Sequence, residues 1–263
     1  YPRSKSPKRW LMMLGVALVL LCPIFYIGMY AGDAEIHLVY AENAAKGDFF
    51  EFNSGEKSSG VTSVGYMLLL AAIFKLSPDI LVPVVIKLIN LLSWYTFILL
   101  IYLVARVILE NRTWAYLTAL ISGLLPGSVY NSTIGMENGM FGLLIMFSIY
   151  LSLRWELLPY PVRQQTGRQV VVGSILGVAA TLRPEGLIIG TIILGYVATL
   201  IWYSSRSFKK LVPYLGPSSI AFLGVTVPTI LLHLSMTGDI FPSSGLSRII
   251  SSQNDSFSVG PFW

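Results

Sequence analysis

The chain has 263 residues, of which 54% are hydrophobic and only 12% are charged, and its mean hydropathy is +0.69. Because a soluble domain carries about a quarter charged residues, this composition argues against a soluble protein and favours an all-α integral membrane protein. The net charge of +5 is no sign of nucleic-acid binding, since basic residues of a membrane chain mostly report its orientation. The single cysteine, Cys22, excludes an internal disulfide.

Apolar runs close to the length that a helix needs to cross about 30 Å of hydrocarbon recur along the whole chain. There are eight of them: 10–32, 61–77, 80–105, 113–130, 138–153, 169–183, 186–204 and 211–235. The runs are continuous rather than alternating, which predicts helices instead of strands. The first run is too long for the core of a signal peptide, so we expect it to be a membrane span.

The positions of the basic residues predict the orientation of these spans. The N-terminal tail, residues 1–9, is basic and is expected in the cytoplasm. If all eight runs crossed the membrane, the basic clusters at 106–112, 154–168 and 206–210 would lie outside. That arrangement contradicts the tendency of Lys and Arg to stay on the cytoplasmic side.

The contradiction disappears if residues 61–76 lie in the membrane interface instead of crossing it. All three basic clusters then become cytoplasmic, so the sequence predicts about seven spans within residues 10–235. Residues 33–79 form the first outer loop, and residues 236–263 lie outside. Whether the chain continues into a further part is left open.

In this topology the outer face collects the acidic segments of the chain. Four short polar segments there each contain an acid: 33–60, 131–139, 183–186 and 237–248. The first is the richest, with six carboxylates: Asp33, Glu35, Glu42, Asp48, Glu51 and Glu56. The cytoplasmic connectors are basic anchors, so we expect any chemistry to take place on the outer face.

Each acidic segment has a structural and a functional interpretation. Asp33 begins an amphipathic helix, Asp33–Lys46, where it could cap the helix or serve a site. Glu137 opens a span and has the same two interpretations. Arg183 lies next to a tight Pro-Glu-Gly turn at the end of a short span, and an ionisable residue at membrane depth is a site hypothesis. The structural alternative is an ion pair of Arg183 with Glu185 or Glu137.

The chain contains two histidines. His37 could be a ligand or a proton carrier, although an interfacial position is the simpler interpretation. His233 falls in the last span and is typical of a histidine that packs between helices. No His/Cys cluster has zinc spacing, and no glycine-rich phosphate loop occurs, which argues against a nucleotide-driven pump or a dehydrogenase.

The run D-A-x-I-x-x-x-Y-A-x-N-x-x-x-G-(x)4-F-N-x-G-E-(x)4-V-T, residues 33–62, resembles the first outer loop of GT-C superfamily glycosyltransferases. The similarity is greatest to the arabinofuranosyltransferase-like branch, and extends to protein O-mannosyltransferases and the lipid A aminoarabinose transferase. The motifs GMENGMFGLL, TLRPEGLII and GDIFPSSGLSR follow in the order of the family. The resemblance covers about residues 30–250 and rests on four individually weak motifs.

The resemblance implies a module of seven spans with two juxtamembrane helices in the first outer loop. It also implies a polyprenyl-phosphate sugar as donor and sugar transfer on the non-cytoplasmic side of a plasma or inner membrane. The acceptor could be a glycan, a lipid or a protein. The catalytic base of the family falls on Asp33. The family often has two adjacent acids there, and because this chain has Gly32 in the first place, Glu35 could share the work.

The remaining polar residues receive roles by the same resemblance. Arg183 and Arg248 would stabilise the donor phosphate, and Arg248 matches the family's last motif only weakly. Glu137, Glu185 and His37 would orient the substrate. Glu137 could instead join Asp33 and Glu35 around a divalent cation such as Mg²⁺ or Mn²⁺, and no metal is assigned. One base without a carboxylate nucleophile predicts inversion at the anomeric carbon.

Two other functions are compatible with the sequence. A transporter or lipid flippase would place its ionisable residues near the midplane, often in two related halves, and this chain has no internal repeat. A non-catalytic subunit of a membrane assembly could retain the fold without the activity.

Overall fold

The computed structural model describes residues 9–30, 32–155, 166–206 and 211–239. Within these residues all regular elements are helical, apart from a single antiparallel bridge between Glu51 and Lys57. The α-helices are α1 (Arg9–Leu21), α2 (Gly32–Lys46), α3 (Val64–Leu76), α4 (Val82–Leu109), α5 (Arg112–Leu124), α6 (Pro126–Asn131), α7 (Asn138–Arg154), α8 (Thr166–Leu182), α9 (Glu185–Ser205) and α10 (Leu211–Thr237). The prediction of an all-α protein is confirmed for the described residues.

Two helical stretches in the described residues are long and apolar enough to cross a membrane, Asp79–Leu109 and Leu215–Thr237. Large apolar side chains also remain exposed along most of the helices, among them Met13, Leu92, Ile121, Ile192 and Ile220. Soluble monomers rarely leave apolar patches of this extent in water. The two long helices and the exposed apolar side chains suggest a membrane protein.

The first apolar run is shorter as a helix than the sequence predicts. Residues 10–32 were expected to form one span, but α1 ends at Leu21 and a 3-10 turn, Cys22–Tyr26, follows it. Pro23 explains the change, because proline lacks a backbone N–H and disfavours the α conformation in the residue before it. Pro126 has the same effect on the run 113–130, which divides into α5 and α6 on either side of Leu125.

Helix α3 lies within residues 61–76, the apolar run that the positions of the basic residues predict not to cross the membrane. Its 13 residues make a rod of about 20 Å, which is shorter than the hydrocarbon layer. Tyr66, Met67 and Leu70 are buried, and together with residues of α2 they form one of the apolar cores. Helix α3 therefore packs against α2 in the interior of the protein.

The helix predicted at Asp33–Lys46 is confirmed as α2, and one of its faces is buried. The buried residues are Ala34, His37, Tyr40, Ala41 and Ala44, which follow the three- and four-residue spacing of one helix face. Ile36 is exposed, and the interfacial position expected for His37 is wrong. The small alanines allow α2 to pack closely on α3, and this contact carries His37 into the interior.

Helices α7, α8 and α9 alternate in direction along the chain, each antiparallel to the one before it. Their ends therefore lie in two groups. At one end Arg183, which follows α8, donates a hydrogen bond to Asn138 at the start of α7. At the other end the guanidinium of Arg168 lies 5.8 Å from the ring of Trp155, which follows α7. Glu137 and Glu185 therefore lie at one end of the three helices. Arg154, Arg168 and Arg206 lie at the other end.

The close packing of α8 against α10 depends on Gly173. A methyl group on Gly173 would lie 2.7 Å from the backbone carbon of Ser218 and 2.8 Å from its Cα, closer than real side chains approach. We expect Gly173→Ala to lower the free energy of unfolding by about 1–3 kcal/mol, measured by thermal unfolding in detergent. Gly195→Ala in α9 is the control, because nothing lies within 4 Å of its added methyl group. Equal stability of the two variants would contradict this packing.

Candidate functional site

A cavity of about 310 Å³ lies where the ends of several helices meet. Four chain segments form its wall: the first turn of α2, residues 60–63 before α3, residues 136–137 before α7, and the turn between α8 and α9. The lining residues are Asp33, Ile36, His37, Gly60, Thr62, Ser63, Met136, Glu137, Arg183, Pro184 and Glu185. Three of the four predicted acidic segments thus meet at one cavity.

Helix α2 places two ionisable side chains on the cavity wall. Asp33 and His37 are four residues apart, which brings them to the same face of the helix. Asp33 is exposed in the first turn, whereas His37 is only 4% exposed. The imidazole of His37 packs edge-to-face on Tyr66 of α3, with 5.8 Å between the ring centroids.

Glu137 immediately precedes α7 but does not cap it. Its side chain makes no capping hydrogen bond to the helix, and it is only 2% exposed. One carboxylate oxygen lies 3.7 Å from Nη1 of Arg183, and the other lies 3.9 Å from Nε2 of His37. The helix-capping interpretation of Glu137 is therefore wrong, because the carboxylate faces the cavity partners instead of the backbone N–H groups.

Arg183 connects three of the surrounding groups. Its Nη2 donates to Glu185 at 3.1 Å and its Nε donates to the same carboxylate at 3.3 Å. Its Nη1 donates to Asn138 and faces Glu137. The two alternative ion pairs that the sequence suggested for Arg183 therefore occur together. Arg183 bridges a buried carboxylate and a carboxylate that is about half exposed.

The surroundings of His37 favour its neutral form. Burial lowers the pKa of His37, and this effect outweighs the carboxylates of Glu137 and Asp33, which raise the pKa. The guanidinium of Arg183 lowers the pKa further. At neutral pH the imidazole is therefore uncharged, and the negative charge of the cavity comes from the carboxylates.

Several acids of the segment 33–60 have local structural partners instead of a place at the cavity. Glu42 pairs with Lys46 one turn later on α2, and Glu56 accepts a hydrogen bond from Asn53. Glu51 accepts the backbone N–H of Gly55 at 2.7 Å and pairs with Lys57, and both contacts lower its pKa. Glu35 is exposed and does not line the cavity. Of the six carboxylates, only Asp33 is part of the cavity wall.

Three buried polar atoms of the lining residues have no hydrogen-bond partner: His37 Nδ1, Ser63 Oγ and Glu137 Oε2. Buried polar atoms nearly always have partners, so such a group of three at one cavity indicates a polar ligand or ordered water. The described residues include no group of three His, Cys, Asp or Glu side chains arranged to hold a metal ion. A cation held by Asp33, Glu35 and Glu137 stays an open alternative from the sequence, and we derive no step through a metal.

A second, mainly apolar groove of about 180 Å³ adjoins the cavity and shares Thr62 and Pro184 with it. It is lined by Thr62, Val64, Ala180, Thr181, Pro184, Leu187, Thr226, Thr229, Ile230 and His233. His233 is buried at the end of α10, packs edge-to-face on Phe50 and contacts the carbonyl of Asp239 at 2.9 Å. A charged cavity and an apolar groove thus form one continuous surface.

Lys87 holds two segments of the site in place, and the sequence had suggested no role for it. Its ammonium donates hydrogen bonds to the carbonyls of Met29 and Thr133, and it lies 3.7 Å from the ring centroid of Tyr30. Met29 precedes Asp33 by four residues, and Thr133 precedes Glu137 by four residues. Lys87 therefore ties together the two segments that lead to these carboxylates. The sequence feature that could have identified this role is a lysine near the start of the apolar run 80–105.

Arg248, the second predicted phosphate ligand, lies outside the described residues, as do most of the outer segment 236–263 and the basic tail. The chain matches no protein-family model, no curated protein and no solved structure. The geometry of the cavity and groove is therefore the basis for assigning a function.

The contacts of Lys87 predict its contribution to stability. Lys87→Met removes the ammonium and its two hydrogen bonds while keeping the length of the side chain. We expect a loss of about 1–3 kcal/mol in the free energy of unfolding, because hydrogen bonds to charged groups are strong. Thermal unfolding in detergent measures this loss, and Lys75→Met, at an exposed position of α3, is the control. Equal stability of the two variants would show that Lys87 does not hold the two segments.

Proposed function

We propose that the protein is a membrane glycosyltransferase of the GT-C type. It transfers a sugar from a polyprenyl-phosphate donor to an acceptor hydroxyl on the non-cytoplasmic side, with inversion at the anomeric carbon. The observation that carries the proposal is the junction of the charged cavity with the apolar groove. A lipid-linked sugar has the same two parts, a polar headgroup and a long apolar chain.

The groove supports a lipid chain as one part of the substrate. Its apolar residues, including Val64, Ala180, Leu187 and Ile230, come from four different helices, and the wall of the cavity is continuous with them. An isoprenoid chain that left the cavity past Thr62 and Pro184 would enter this groove. The exposed apolar surface of the surrounding helices would hold the remainder of the chain in the bilayer.

The cavity supports a hydroxyl-bearing headgroup. The unpartnered atoms of His37, Ser63 and Glu137 can accept hydrogen bonds, and Ser63 can also donate one. Sugar hydroxyls supply both donors and acceptors at short spacing. A purely apolar ligand would leave these buried atoms without partners, at a cost of about 1–3 kcal/mol for each.

Asp33 is the group best placed to accept a proton. It lies at the exposed rim of the cavity, where an acceptor molecule can approach from water. As the acceptor oxygen attacks the anomeric carbon, its proton passes to the Asp33 carboxylate, and the bond to the phosphate breaks with its electron pair on the phosphate. The carboxyl group of Asp33 then returns its proton to water.

Arg183 would stabilise the phosphate that departs. Its guanidinium contacts Glu185, whose side chain is 54% exposed. A donor phosphate could replace this exposed carboxylate, since two charge-assisted hydrogen bonds to phosphate are at least as favourable. Glu137 and Asn138 would keep the guanidinium in place during the exchange. Arg248 stays a prediction from the sequence.

The position of the charged residues favours an enzyme over a transporter. Asp33, Glu137, Arg183 and Glu185 lie at the ends of helices, on one cavity. A transporter that moves a charged substrate would need ionisable groups near the middle of the membrane.

We propose about seven spans, formed by α1 with its 3-10 turn, α4, α5 with α6, and α7 to α10.

If Asp33 is the base, replacing its carboxylate by an amide should lower the rate of sugar transfer. We expect Asp33→Asn to lower sugar transfer from a polyprenyl-phosphate sugar by about 100- to 10,000-fold, because general bases contribute that much. Donor binding should be unchanged, since Asp33 acts on the acceptor. Glu42→Gln on the same helix is the control, because Glu42 contacts only Lys46 on the surface. Near-normal turnover of Asp33→Asn would exclude Asp33 as the base.

The proposed topology predicts which residues are accessible from each side of the membrane. Lys75 and Arg112 are both exposed, and the topology places Lys75 outside and Arg112 in the cytoplasm. In a Cys22→Ser background, a cysteine at position 75 should react with a membrane-impermeant maleimide in intact cells. A cysteine at position 112 should react only after the membrane is opened. Labelling of both positions in intact cells would contradict the topology.

A further inference from the structure

The two histidines of the chain differ in which ring nitrogen has a partner. In His37, Nε2 lies 3.9 Å from the carboxylate of Glu137, and Nδ1 has no hydrogen-bond partner. In His233, Nδ1 lies 2.9 Å from the carbonyl oxygen of Asp239, and Nε2 has no partner. Both side chains are only 4% exposed, so the unpartnered nitrogens are shielded from bulk water.

These surroundings favour a different position of the proton in each imidazole. A neutral imidazole has one N–H, and the other nitrogen is an acceptor. A carbonyl oxygen can only accept, so the proton of His233 is on Nδ1. Glu137 Oε2 is 3.9 Å from Nε2 of His37, beyond hydrogen-bond distance, but the negative charge of the carboxylate favours the tautomer with the proton on Nε2. The two environments therefore favour opposite tautomers, with the lone pair of His37 on Nδ1.

We propose that Nδ1 of His37 accepts a hydrogen bond from a hydroxyl of the sugar bound in the cavity, and that Glu137 holds the imidazole in the tautomer that permits it. This inference rests on the proposed function, because the hydroxyl is that of a lipid-linked sugar. His37 is then a specificity-determining residue that distinguishes a sugar-bearing lipid phosphate from a bare one. Glu137 is a positioning residue that acts through His37.

Several titratable and charged groups face His37. Asp33 lies on its own helix, Tyr66 on α3, Glu137 before α7, and Arg183 after α8. Because burial lowers the pKa of His37, the lone pair persists to a lower pH than in an ordinary histidine. The affinity for the sugar should be complete above about pH 6.5, and it should fall as the pH decreases through the lowered pKa of His37.

Nitrogen NMR of the protein with ¹⁵N-labelled histidine tests the tautomers without any ligand. The chain has two imidazoles, and His233→Phe assigns them. We expect the proton on Nε2 in His37 and on Nδ1 in His233. Glu137→Met should mix the tautomers of His37. Glu185→Met is the matched control, because Glu185 also pairs with Arg183 but does not contact His37. A proton on Nδ1 of His37 in the unmodified protein would overturn the proposal.

Binding of two lipids in nanodiscs, undecaprenyl-phosphate arabinose and undecaprenyl phosphate, tests the hydroxyl contact. We expect His37→Phe to weaken binding of the sugar lipid by roughly 5- to 100-fold, and to leave binding of undecaprenyl phosphate unchanged. His37→Asn should largely restore the sugar-lipid affinity, because its amide oxygen accepts a hydrogen bond near the position of Nδ1. The restored affinity should not decrease at low pH.

Two results would overturn the hydroxyl contact: equal binding of the sugar lipid by His37→Phe and the unmodified protein, or equal loss of both lipids in His37→Phe. Failure of the proposed function gives a different result, in which the unmodified protein binds neither lipid. In that case the sugar lipid is also excluded as the ligand of His37. The NMR spectra alone still determine the tautomers.

Discussion

The buried carboxylate of Glu137 is the constraint on which the arrangement of the site depends. A carboxylate withdrawn from water is costly unless cations or N–H donors surround it. Arg183 and His37 supply these partners at 3.7 and 3.9 Å, so α2 and the α8–α9 turn must both meet the start of α7. One carboxylate oxygen still has no hydrogen bond. Such incomplete satisfaction is typical of a site that completes its contacts with a ligand.

Helix α4 supports this arrangement with a stripe of polar side chains on its buried face. Lys87, Asn90 and Trp94 recur at the spacing of one helix face and bind different segments of the chain. Lys87 holds the segments before Asp33 and Glu137, and Asn90 donates to the hydroxyl of Tyr66. The indole N–H of Trp94 donates to Ser128. Helix α4, with many apolar side chains exposed, thus connects several segments of the chain by hydrogen bonds, as polar residues do between membrane helices.

The local features of the fold were predictable because they depend on neighbouring residues. Every apolar run that the sequence marks contains a helix, and α2 begins within one residue of its predicted start. The breaks at Pro23 and Pro126 are also local, and proline chemistry could have predicted both. The buried face of α2 was not predictable in the same way. The packing of its alanines on α3 decides which side chains are covered, and the spacing of residues along α2 does not contain this information.

The sequence by itself determined that the chain is helical and rich in apolar runs, and that Asp33, Glu137 and Arg183 each lie at the end of such a run. These properties follow from composition, from spacing and from the positions of charges along the chain. Only the tertiary structure decided that the three side chains share a cavity, that His37 lies beside Glu137, and that Glu35 faces away. The physical reason is that a carboxylate acquires its partners, its burial and its pKa from segments distant in sequence, and helix packing alone brings those segments together.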